Sequence, residues 1–140
     1  MPGSATDYLH QRVLSHTLGF GAYTMPTTIY VGLCTTLPSA AVGGTEVSGG
    51  GYARQAGSPF ALSSGRVDLA VNTAAIQYPP ATVSWGAIGW FELWDAVTSG
   101  NRLYWGALVD PTDGVTPVTK LINVGDIARL AVNQLSVQAI

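Results

Sequence analysis

Ala87-Ile88-Gly89-Trp90-Phe91-Glu92-Leu93-Trp94, the connection Asp95–Asn101, and then Arg102-Leu103-Tyr104-Trp105-Gly106-Ala107-Leu108-Val109 form the stretch that decides the class of this chain. In an extended strand, successive side chains point to opposite faces. Leu103, Trp105, Ala107 and Val109 then share one face, while Tyr104, Gly106 and Leu108 share the other. Both faces are apolar, as in a strand covered on its two sides. Gly100, near the end of the connection, suits a hairpin loop.

Working outward, Thr82–Trp85 reads as a further strand, and Ile29, Val31 and Leu33 alternate within Thr27–Leu33. Ile29, Val31, Leu103, Trp105 and Val109 are the expected core. Shorter strand signals lie at Tyr52–Ala56, Arg66–Val71 and Ala75–Tyr78, the last stopped by Pro79-Pro80. Lys120–Ile122, Asp126–Ala131 and Gln134–Ala139 close the series. Only Asp7–Leu18 has helical spacing, with Leu9 and Val13 four apart and Leu14 and Leu18 likewise. Ser4 or Thr6 can cap it, Asp7 complements its dipole, and Gly19 and Gly21 end it. Thr35–Gly51, with Gly43-Gly44 and Gly49-Gly50-Gly51, is longer than an ordinary loop and reads as a functional arm. The expected fold is all-β: one β-sandwich or jelly-roll-like domain over residues 1–140, with one short N-terminal helix.

Charge narrows the function. Charged residues make up 10% of the 140, against roughly 25% in an average soluble domain. The net charge is −2, so there is no basic excess to neutralise nucleic-acid phosphates or an anionic membrane. The apolar fraction is 47% and the mean hydropathy +0.28, so part of the surface is expected to be covered by partners. Leu9, Val13 and Leu14 on the helix and Val42 and Val47 on the arm are the residues expected at such an interface. Cys34 is the only cysteine, which excludes an intrachain disulfide. Met1-Pro2-Gly3-Ser4 does not read as a secretory signal, and no 18-residue apolar run spans a membrane.

Motifs for chemistry are weak throughout. His10 and His16 are six apart, which sets them about 120° apart around a helix and prevents joint chelation. No Gly-x-Ser-x-Gly elbow supports a hydrolase triad. Gly49-Gly50-Gly51 lacks the Gly-Lys-Ser/Thr of a phosphate loop, and the only lysine is Lys120. Asp110-Pro111-Thr112-Asp113-Gly114 has the spacing of a turn and not of a calcium loop. Glu92 and Asp95 are three apart, so one strand would send them to opposite faces. Trp85, Trp90, Trp94 and Trp105 would form a sugar-stacking platform if exposed together; the alternation around Trp105 favours the core instead. No catalytic residue, cofactor or metal is expected.

Three segments carry a resemblance. They are Thr27-Thr28-Ile29-Tyr30-Val31-Gly32-Leu33-Cys34-Thr35-Thr36-Leu37-Pro38, Gly43-Gly44-Thr45-Glu46-Val47-Ser48-Gly49-Gly50-Gly51-Tyr52-Ala53-Arg54-Gln55, and Asn123-Val124-Gly125-Asp126-Ile127-Ala128-Arg129-Leu130-Ala131. With Trp85-Gly86 and Leu103-Tyr104, they resemble a small family of tailed-bacteriophage structural proteins labelled tail fibre or minor virion protein. The likeness runs from about Asp7 to about Val137. Cys34 stands where serine is usual, and Ala56–Ala75 matches less well. The resemblance implies a non-enzymatic virion protein made in the host cytoplasm, and brings no catalytic residues with it. Tail fibres are elongated, and this chain has neither heptads nor a shaft repeat. A capsid decoration (cement) protein is therefore expected, bound to the major capsid protein and to copies of itself. The alternatives are a tail-fibre or tail-tip component among tail proteins, and a module binding a surface glycan.

Overall fold

Gly, Pro and Asx turns punctuate the strands closely, so most of them are short. The computed structural model describes residues 3–57 and 59–138. In chain order the elements are β1 (Ser4–Ala5), α1 (Asp7–Thr17), β2 (Tyr30–Cys34), β3 (Gln55–Ala56), β4 (Phe60–Leu62), β5 (Leu69–Asn72) and β6 (Ile76–Gln77). They continue as β7 (Gly86–Ile88), β8 (Trp90–Trp94), β9 (Arg102–Ala107), β10 (Lys120–Ile122), β11 (Arg129–Leu130) and β12 (Ser136–Gln138). The domain is all-β with one short helix. Ala139, the expected end of the last strand, lies outside the described residues.

The central sheet has the order β1-β9-β8-β2-β3, and its strands pair antiparallel. A second sheet, β12-β5-β4, is tied to it through Gly3, whose N–H donates to the Ser136 carbonyl while its own carbonyl accepts from Gln138 N–H. A Cβ at Gly3 would sit 2.5 Å from the Trp105 carbonyl oxygen, so this junction admits only glycine. Two further ladders, β10-β7 and β11-β6, pair with neither sheet. The main core brings Val31, Leu33, Phe91 and Leu93 of the central sheet into one cluster with Ile76, Tyr78, Leu130, Leu135 and Val137.

Ala87–Trp94 is not one strand. It leaves its pairing with β10 at Gly89 and joins β2 and β9, and Thr119 packs where a Gly89 side chain would stand. Thr82–Trp85 is not a strand either. Thr82 and Trp85 donate their N–H groups to Gly50 and Ile122, holding the segment as a bend. The helix is closer to expectation. Thr6 caps it by accepting from Leu9 N–H, and Gly19 (φ 84°) turns the chain so that Phe20 N–H reaches the Ser15 carbonyl. Leu9 anchors it in a satellite core with Ala5 and Leu103. Leu103 lies at a register shift opposite Leu93 and Trp94, which is why it joins the helix.

Of the expected core, Val31, Leu103 and Val109 are buried, and Ile29 is half-buried between the two clusters. Trp105 is a correction. It pairs across the sheet with Glu92 and Ser4, on the face away from the main core, and stays half-buried. Alternation identified the strand but could not say which face meets the larger core.

Candidate functional site

Cross-strand register assembles the second face of the central sheet. Directly opposed residues share a face, which gives the rows Tyr30–Trp94–Arg102, Gly32–Glu92–Trp105–Ser4 and Cys34–Trp90–Ala107. A carboxylate in the middle of a sheet is costly unless paired. Glu92 is 1% exposed, and its Oε2 accepts from Gly44 N–H at 3.0 Å and meets Arg102 Nε at 3.4 Å. Arg102 also donates to the Ala40 carbonyl. Both of these backbone partners come from the segment 35–51, so the Gly-rich arm folds over this face and seals the ion pair.

The arm is locked a second time at its far end. Gly49, Gly50 and Gly51 all have positive φ, the region glycine adopts without penalty, and they turn Tyr52 and Arg54 back onto Glu46. Arg54 makes two parallel bonds to Glu46, each 2.9 Å, and donates to the carbonyls of Ala96 and Ser99 in the β8–β9 loop. Its guanidinium lies 3.8 Å from the centre of the Trp94 ring. Tyr52 donates to Glu46 Oε2 at 2.6 Å and accepts from Leu33 N–H at 3.0 Å. Burial first, then its bond to Glu46, pushes the Tyr52 phenol up. Cys34, beneath the arm, is fully buried, and burial followed by the Glu92 carboxylate pushes its thiol up as well. Neither lock was legible in the sequence. The only signal was a glutamate and an arginine on either side of the triple glycine.

Large apolar side chains are exposed at many places, the helix and the chain after it among them. With Leu9 buried, α1 presents Val13 (46% exposed) and Leu14 (55%), and the chain beyond it presents Leu18, Phe20 and Met25. A groove of about 370 Å³ runs beside the helix, lined by Ala5, Leu9, His10, Val13, Leu14 and Tyr104. Among the residues expected at an interface, Val13, Leu14 and Val42 are exposed. Leu9 and Val47 are buried in the protein's own cores, because the helix and the arm must each be fastened to the domain.

The candidates for chemistry stay apart. Asp95 caps its own loop by accepting from Asn101, while Glu92 is buried beneath the arm. His16 accepts Tyr23 N–H through Nδ1, and His10 borders the helix groove. Asp113 closes the turn after β9 by accepting from Val115, Thr116 and the Thr116 hydroxyl, which hold its carboxyl at about 2. Among the described residues no group of three or more His, Cys, Asp or Glu is placed to hold a metal ion. Trp85 is buried edge-on against Tyr52 and Tyr78. Trp90, Trp94 and Trp105 are half-buried, and Arg54 covers one ring face of Trp94.

Comparison with known protein families gives a match over nearly the whole chain. The family described as Podophage GP4 fiber I protein gp80 matches residues 4–138. No curated protein matches the chain. The family match spans the helix, the arm and every strand described above, and it agrees with the resemblance to tailed-phage virion proteins. This protein is a structural protein of a phage virion, and it belongs to the Podophage GP4 fiber I protein gp80 family.

Proposed function

We propose that this protein is a component of a podophage tail fibre, assembled from neighbouring tail proteins and copies of itself. The family match over residues 4–138 carries this reading, and favours it over head decoration. The exposed side chains of Val13, Leu14, Leu18, Phe20 and Met25 support it, since an assembled component can cover surface that a free monomer leaves wet. The arm, held by Glu92, Arg102, Glu46 and Arg54, belongs to the folded domain, which supports a docking role for the helix side. Immunogold labelling of intact virions tests the location. Gold on the tail, with failed adsorption by particles lacking the protein, is the expected result. Gold on the head, with loss of heat or osmotic resistance and normal adsorption, means that it is a cement protein.

A further inference from the structure

An apolar cavity of about 280 Å³ is lined by residues of β10 and β11, which belong to two ladders that do not pair with each other. Its floor is made by Leu33, Ile88, Leu108 and Leu130, each less than a twentieth exposed. An engineered apolar cavity of about 150 Å³ is enough to take up benzene, so a pocket of this volume has room for a small ring or short alkyl chain. The mouth is cationic. Arg54, Arg66 and Arg102 are held by carboxylates and Arg12 by the Tyr8 ring. Lys120 and Arg129, both exposed, are the two remaining cations among the described residues, and both line this cavity. Asp110 also lines it, with its Oδ1 accepting from the N–H and hydroxyl of Thr112, so the three charges together leave the lining one net positive charge.

We propose that this cavity binds a small amphipathic carboxylate, with a compact aryl or alkyl body against Leu33, Leu108 and Leu130 and its carboxylate beside Lys120 and Arg129. Floor and mouth together select this class: an uncharged apolar ligand leaves the two cations unused, and an anion without a body leaves the floor wet. The site lies apart from the helix surface, so the inference does not depend on the fibre reading.

The probe is 3-phenylpropionate, titrated into the isotope-labelled full chain and followed by two-dimensional NMR. Saturable shifts at Leu33, Leu108 and Leu130 are expected, with a dissociation constant on the order of 1 mM. The primary amide of the probe, and the exposed double variant Lys120→Gln/Arg129→Gln, should each bind about tenfold more weakly. Ala128→Leu, which adds volume on the lining, should abolish the shifts while the spectrum remains that of a folded protein. Three results would overturn the proposal: no saturable shift, saturable shifts confined to another surface, or equal binding of acid and amide. Equal binding would mark the cavity as a purely apolar pocket of the kind that receives a partner's side chain.

Discussion

Glu92 and Cys34 report on the same buried environment from two sides. Removing one partner of a buried ion pair leaves an uncompensated charge, which typically costs about 3–5 kcal/mol. Arg102→Met should destabilise by that amount in urea unfolding, and adding Glu92→Gln should recover much of the loss, because the stranded charge is then gone. A double variant no more stable than Arg102→Met would mean that Arg102 matters for its packing alone. The Cys34 thiol, raised by burial and by Glu92, should stay unmodified by an aromatic disulfide reagent at mildly alkaline pH and react when the chain unfolds. Rapid native-state labelling would show that the arm opens. Asp113 fixes a pH dependence. Its folded value of about 2 lies below the ordinary value of roughly 3.9, so its contribution is complete above pH ~4 and is lost as pH falls through 2. A carboxyl NMR titration of Asp113 with a midpoint near 4 would contradict this.

At the scale of elements, the arm has become part of the sheet. Segment 45–47 runs beside β2, with Thr35 N–H bonded to the Thr45 carbonyl and Val47 N–H to the Leu33 carbonyl. Its Glu46 holds Arg54 and Tyr52 in place, and Arg54 in turn holds the β8–β9 loop. Glu46→Ala would leave those buried donors without their acceptor, at a cost of about 1–3 kcal/mol for each unsatisfied group. The expected outcome is a lower urea midpoint together with faster proteolysis between Gly43 and Gly51. Unchanged proteolysis would mean that Val47 and the backbone bonds alone hold the arm. Shortening the arm would remove the cover of Glu92, so it is no neutral edit.

The molecule as a whole carries its low charge in a particular way. Three of its arginines, Arg54, Arg66 and Arg102, are spent on carboxylates, while Val13, Leu14, Leu18, Phe20 and Met25 are exposed on the helix and just after it. The isolated protein should therefore self-associate. Leu14→Glu with Phe20→Glu should shift it towards monomer in light scattering after size exclusion, with no change in circular dichroism, since both side chains are more than half exposed. A monomeric parent protein would sink this expectation. Deleting the helix would be a poor substitute, because Leu9 would be lost from the satellite core.

The sequence by itself determined the all-β class, the helix with its cap and stop, and the hairpin of β8 and β9, because period, capping and turn chemistry are local. The tertiary structure alone decided that Trp105 turns away from the main core, since facing depends on which layer is larger. It also decided that Ala87–Trp94 divides at Gly89, where β10 competes with β2 and β9 for pairing. The pairing of Glu92 with Arg102 and the placing of Lys120 and Arg129 beside one cavity were likewise its work. Charges far apart in the chain acquire partners only when strands bring them to a common face, and no periodicity encodes that.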